Sequence, residues 1–291
     1  MFKLEKKLTS QKNTMIGEIV GADIAKIVAK ATGIPVEDLL SSEKRKIRHL
    51  DKSLQQKIIG QNEATSLIAQ FIGRAKAGLT PENKPLASFL LVGPSGTGKT
   101  HTARVLAEEL FGHRDALIKI DMSEYSEKFN TSKLIGAPAG YVGYKESGHL
   151  TEKVKHQPYS IVLFDEIEKA NSEIFDLLLQ VLEDGYLTDA TGVKINFRNT
   201  IIIMTSNIGS HYFNNKVENI GFDASVDKIK NQSNEKVIAE VKNFFKVEFI
   251  NRLDEITCFT PLSANDLEKI TKLELADLLT RLNKKNINAE F

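Results

Sequence analysis

The chain has a single cysteine, Cys258, among its 291 residues, so no disulfide can close within it and a reducing compartment is expected. That means the cytoplasm, with the stroma of a plastid or another organelle as the alternative. No run of 18 apolar residues occurs, so no membrane-spanning helix and no membrane partner are expected. Neither sign of charge is in real excess. With 39 basic and 38 acidic side chains the net charge is +1, which argues against a protein held to nucleic acid by phosphate contacts. The opening MFKLEKKLTSQK lacks an apolar centre and does not read as a secretory signal. Repeats and low-complexity tracts are absent as well. What remains is a globular composition, long enough for one large and one small domain.

The most informative segment is GPSGTGKT at 93–100, directly after the apolar run SFLLV. It fits G-x-x-x-x-G-K-[ST], the phosphate-binding loop of nucleoside-triphosphate enzymes. Gly93, Gly96 and Gly98 let the backbone curl, so that successive N–H groups of the loop, through Ser95 and Thr97 (Pro94 has none), point inward at anionic oxygens. A helix over 99–110 adds its positive N-terminal end to the same spot. Lys99 is placed to reach the β- and γ-phosphates and Thr100 to hold Mg²⁺. ATP and Mg²⁺ are therefore the expected ligands.

A second motif bears on hydrolysis. Residues 159–164 form a continuous apolar run, as in a buried parallel strand, and the run ends in Asp165 and Glu166. Carboxylates at the C-terminal edge of such a strand lie where open α/β sheets bind ligands. Asp165 suits Mg²⁺ held through water, and Glu166 suits polarisation of an attacking water. A solvated acidic turn is the plainer alternative.

Strands over 89–92, 117–121, 160–164, 200–205 and 256–259 alternate with helices over 99–110, 148–156 and 172–184. The alternation predicts an α/β fold with a parallel sheet covered on both faces. Before it, helices are expected over 14–31, 42–56 and 61–77; after it, a loop over 210–232 and helices over 233–245 and 264–282. The expected organisation is a helical leader over 1–50, a large α/β domain over 51–260 and the start of a small helical domain over 261–291.

Beyond these two motifs, IDMSEY (120–125), KLIGAPAGYVGY (133–144), VLFDEIEKA (162–170), LLLQVLEDGYLTD (177–189), FRNTIIIMTSN (197–207) and EFINRLDEI (248–256) resemble the Clp ATPases, a branch of the AAA+ superfamily. They look most like the second ATPase module of ClpC and ClpA. The resemblance spans about residues 20 to 282. It implies that Asn207 is the sensor beside the nucleophile strand, able to orient the attacking water. An ordinary helix N-cap is the alternative for that asparagine. It also implies that Arg252 is a finger supplied in trans within a hexameric ring, homo- or hetero-oligomeric, where it spreads positive charge over the phosphoryl oxygens. Ile58 and Ile59 resemble the apolar residues beside the adenine, although core packing suits them nearly as well. Gly140, Tyr141, Val142 and Gly143 resemble the loop that grips polypeptide in the axial pore. Ile220, Gly221 and Phe222 resemble the tripeptide that docks on a ClpP-like protease barrel, a motif that ClpB-type disaggregases lack. No counterpart of the family's sensor-2 arginine is found.

The resemblance implies an ATP-driven unfoldase that threads unfolded polypeptide through a ring, as the ATPase subunit of a Clp protease. Two alternatives stand beside it: a ClpB-like disaggregase without a protease, and a non-hydrolysing, nucleotide-dependent regulatory module.

Overall fold

The computed structural model describes residues 23–24, 26–27, 30, 43–127, 130–136, 148–214 and 226–285. The chain forms two units, Met1–Glu43 and Lys44–Phe291. In the first, the described residues between 23 and 30 are helical.

The second unit is built on five parallel strands: β1 (Ala87–Val92), β2 (Leu117–Asp121), β3 (Ile161–Asp165), β6 (Ile201–Ser206) and β7 (Glu255–Cys258). Their order is β2-β3-β6-β1-β7. All six residues of β1 and all six of β6 are buried, as expected of parallel strands covered on both faces. The two-residue period of a strand divides their side chains between two cores. Leu90, Val92, Val162, Phe164, Ile202 and Met204 enter one core. Phe89, Leu91, Ile161, Leu163, Ile201 and Ile203 enter the other.

The second core is roofed by α1 (Glu43–Lys57), α2 (Asn62–Lys76) and α3 (Lys99–Phe111). Leu50, Leu54 and Ile58 fall four residues apart and are at most 3% exposed. This stripe carries α1 into the sheet unit, which begins at Lys44 instead of the expected 51. The charged run EKRKIRHLDKSLQQK masks so narrow a stripe in the sequence. The first core takes α5 (His149–His156) and α6 (Ser172–Asp184), following the short α4 (Thr131–Ile135). Helix α6 starts where the Asn171 side chain accepts from the Glu173 N–H and stops at left-handed Gly185.

Two features depart from expectation. A hairpin of β4 (Tyr186–Thr188) and β5 (Lys194–Asn196) follows α6. Three-residue strands are too short to show a period. The hairpin turn is tied by Asp189, whose Oδ1 accepts from the N–H groups of Thr191 and Val193. The loop expected over 210–232 instead contains a helical turn, α7 (His211–Asn214), and the first part of α8 (Val226–Phe244). Ser233, Val237 and Val241 bury one face of α8 at four-residue spacing. Once that face is anchored, each further residue at the N-terminal end adds a hydrogen bond, so helix can extend toward the N-terminus from the anchored segment.

The short α9 (Val247–Ile250) leads to β7, and α10 (Ala264–Asn283) ends the described chain. Ser263 and Asp266 form a reciprocal capping box at the start of α10, yet none of its 20 residues is buried. Among the described residues no helix is long and apolar enough to cross a membrane.

Candidate nucleotide site

The strands carrying the three polar motifs are neighbours, β3-β6-β1, with Leu163 beside Ile203 and Ile203 beside Phe89. Parallel strands in register end together. The phosphate loop, Asp165 with Glu166, and Asn207 therefore emerge along one edge. They line a cleft of about 360 Å³ together with Ser95, Thr97 and Thr205.

Gly93 leaves β1 at φ 147°, and a Cβ added there would stand 2.2 Å from the Phe259 carbonyl oxygen. The loop can start only because nothing projects from that carbon. Gly96, at φ 78°, is different: a Cβ there meets nothing within 4 Å, so this residue opens onto the cleft. Lys99 is 7% exposed. Its Nζ donates to the carbonyls of Gly93 (2.6 Å) and Pro94 (2.8 Å) and to Asn207 Oδ1 (3.0 Å). All three acceptors are neutral. Burial lowers its pKa to about 8, against the pull of Glu168, Asp165 and Glu166, which raise it. An anionic phosphate is a better acceptor than any of these carbonyls, so the residues present fit a phosphate chain.

Nucleotide affinity should accordingly depend on pH. A bound phosphate favours charged Lys99, whereas the depressed pKa leaves the lysine increasingly neutral above about 8. Affinity is expected to hold below pH 8 and then to fall by up to about tenfold per pH unit. Anisotropy of a fluorescent ADP across this range checks it, and a level profile through pH 9.5 (roughly one unit below the ordinary lysine pKa) would contradict it.

Thr100 Oγ1 lies 3.1 and 3.3 Å from the two oxygens of Asp165. The Asp165 carboxylate also accepts from the Thr205 hydroxyl and pairs with Lys119 Nζ at 2.7 Å. Burial pushes its pKa up, but donation from Lys119, Thr205 and Thr100 outweighs this and holds it below the ordinary value. Among the described residues no three His, Cys, Asp or Glu side chains cluster for a metal. Thr100 and Asp165 offer hard oxygens that fit Mg²⁺, which takes its remaining ligands from phosphates and water in such sites.

Glu166 is the one described non-glycine residue at positive φ, 57°, a conformation costing about 1–3 kcal/mol. Its N–H donates to Thr205 Oγ1 at 3.0 Å. Its Oε2 accepts from Lys169 Nζ and from Ser123 Oγ, the latter at 3.2 Å. Asn207 is fixed at both ends: Oδ1 by Lys99, and the backbone N–H by Glu168 Oε1 at 3.0 Å. Glu168 Oε2 is buried without a hydrogen-bond partner among the described residues.

The other expected site residues lie elsewhere. Ile58 is buried in the core under α1. Ile59 faces a second cleft of about 380 Å³ between α1 and α10. Arg252 forms an ion pair with Glu183, Nε to Oε1 at 2.6 Å, and its carbonyl accepts from Ser88 Oγ. Ser88 precedes Gly93 by five residues of extended chain, roughly 17 Å. The chain thus does not bring Arg252 to its own phosphate cleft. Gly140, Tyr141, Val142 and Gly143, like Ile220, Gly221 and Phe222, fall outside the described residues.

Sequence reasoning missed Lys119, Ser123, Thr205 and Glu168. Lys119 had a usable signal, as the exposed position in the alternating strand LIKID. The other three sit inside motifs whose better-known neighbours drew the attention.

The AAA domain model of the Cdc48 subfamily matches residues 84–256, over half of the chain. The chain is 45% identical over 280 residues to the chloroplastic chaperone protein ClpB3 of Arabidopsis thaliana, covering 96% of this chain and 28% of that protein. It is 48% identical to a ClpA homolog of Pyropia yezoensis, described as an ATP-dependent Clp protease ATP-binding subunit, covering 91% and 33%. The Hsp104–ADP complex of S. cerevisiae superposes with a TM-score of 0.78 at 37% identity, over 91% of this chain and 44% of that one. The chain thus spans about a third of the curated relatives it matches. With the five-stranded parallel sheet and the motif-bearing edge in place, the chain belongs to the AAA domain family of the Cdc48 subfamily, within the Clp ATPases of the AAA+ superfamily.

Proposed function

We propose that this chain is the ATP-hydrolysing module of a ClpB-type protein-remodelling machine. The observation that carries the reading is the cleft that joins Lys99, Asp165, Glu166 and Asn207 on one sheet edge. Lys99 and the loop N–H groups hold the phosphates, Thr100 and Asp165 hold Mg²⁺, and Asn207 orients a water that Glu166 polarises. Mg²⁺, when bound, neutralises charge on the phosphate oxygens. Glu166 must first leave Lys169 and Ser123. Arg252 acts on the nucleotide of a neighbouring chain in a hexameric ring, since its own cleft is out of reach. Tyr141, which has glycines at 140 and 143 beside it in the sequence, grips the passing polypeptide.

Protease coupling, the first expectation, yields to the remodelling reading because ClpB chaperones at 45–46% identity and Hsp104 structures are prominent among the relatives. Coupling remains a second reading, favoured by Ile220-Gly221-Phe222 and by ClpA relatives at 44–48% identity. A ClpB3 relative from chloroplasts and bacterial relatives fit a plastid stroma or a cytoplasm equally.

Two measurements test the reading. Turnover per chain should rise with protein concentration as rings form. The assembled protein should also reactivate an aggregated reporter enzyme without any protease. Co-sedimentation with a ClpP barrel, lost on Ile220→Ser with Phe222→Ser, would move the assignment to the protease-coupled form. Absence of turnover at every concentration would leave the regulatory module.

A further inference from the structure

Gln61 stands just before α2 and is 4% exposed. Its carboxamide makes three hydrogen bonds to two distant parts of the chain. The Nε2 donates to the carbonyl of Thr97, inside the phosphate loop, at 3.1 Å, and to the carbonyl of Thr260 at 2.8 Å. The Oε1 accepts from the Thr260 N–H at 3.2 Å. Thr260 lies in the short stretch that joins β7 to α10. One side chain therefore ties the loop that faces the phosphates to the root of the last helix.

The tie continues on both sides. In the loop, the Thr97 hydroxyl donates to the Pro94 carbonyl at 2.9 Å, and the same carbonyl accepts from Lys99. A phosphate that draws Lys99 away from Pro94 acts directly on the segment that Gln61 holds. On the helix side, Gly60 lies so close to the connection that an added Cβ would stand 2.7 Å from Leu262 Cδ2. Beyond this root α10 buries no residue of its own, and a cleft separates it from α1, lined by Lys52 and Gln55 on one side and Asp266 and Lys269 on the other. A helix held mainly at its root turns when the root moves.

We propose that Gln61 is a positioning residue that transmits phosphate occupancy of the loop to the orientation of α10. The proposal rests on the reading that the cleft binds nucleotide. Gln61 does not touch the cleft itself, so its loss uncouples the two events instead of preventing binding.

The test uses the whole chain with Lys52→Cys and Lys269→Cys, one on each side of the cleft, bearing nitroxide labels. Native Cys258, which is partly exposed, is replaced by Ser so that only the two introduced thiols carry labels. Interspin distances are recorded with and without ADP, and binding is followed separately by calorimetry. In the parent, ADP should shift the distance distribution. In Gln61→Met, which keeps the volume and loses every hydrogen bond, ADP should bind within about threefold of the parent while the distribution stays at its nucleotide-free position. Gln61→Glu keeps the acceptor for Thr260 N–H and loses both donations; it should behave like Gln61→Met and stands in for it if that variant fails to fold. A parent-like shift in either variant overturns the proposal, as does a parent that binds ADP without a shift. A parent that does not bind ADP overturns the functional reading as well, which the calorimetry distinguishes.

Discussion

Glu166→Gln is expected to bind ATP about as tightly as the parent and to hydrolyse it at least about a hundredfold more slowly. The amide has the carboxylate's shape but cannot polarise water, so the loss falls on kcat with little change in affinity. Weakening of the contact to Lys169 does not alter this, because that lysine is about half exposed to solvent and does not line the cleft. The informative comparison is Glu168→Gln, two residues on. Glu168 holds the Asn207 N–H and keeps a buried oxygen without a partner among the described residues, which makes it the other carboxylate that could serve as base. Single-turnover hydrolysis with radiolabelled ATP separates the two. If Glu166→Gln turns over at the parent rate while Glu168→Gln is dead, the assignment passes to Glu168.

Gly93→Ala should unfold the protein more readily than any other single change in the phosphate loop. Its Cβ would sit 2.2 Å from the Phe259 carbonyl oxygen, and that carbonyl belongs to backbone that cannot step aside. Phe259 is itself fully buried, and its N–H donates to Val92 O at 2.7 Å. Both walls of the collision are therefore fixed, and a destabilisation of roughly 3–5 kcal/mol is expected. Gly96→Ala meets no atom, only the strain of a positive φ, so about 1–2 kcal/mol should be lost. Urea midpoints of the two variants measure the difference. Equal losses would mean that the turn around Gly93 relaxes and that close approach is not what requires glycine there.

The sheet and the phosphate site were largely legible in the sequence, for a shared physical reason. Buried parallel strands demand uninterrupted apolar runs such as SFLLV and IVLF, and ligand loops follow those runs directly. Lys99, Thr100, Asp165 and Glu166 could therefore be found once the strands were recognised, whereas Asn207 followed from the resemblance to the Clp ATPases. What stayed hidden depends on contacts between segments far apart in the chain. The pairing of Lys119 with Asp165 needs the β2–β3 register. The bond from Gln61 to Thr260 spans nearly 200 residues, and no local pattern records it. The β4–β5 hairpin is too short for a period to show, and the first turns of α8 are helical by extension from an anchored segment. Arg252 shows a different limit. Its motif is plain in the sequence, but its pairing with Glu183, away from the cleft end of β1, follows only from the fold.

The two fully buried strands β1 and β6 lie side by side at the centre of the sheet, with ladder partners on both flanks. Their amide protons can reach water only when the whole sheet opens, so they should exchange with solvent more slowly than any other amides in the chain. The edge that carries the candidate site is thus rooted in the least yielding part of the sheet. On the proposed ATPase reading, movement has to appear in segments that hang from that edge, and the helix held mainly at its root is the first place where deuterium uptake should respond to nucleotide.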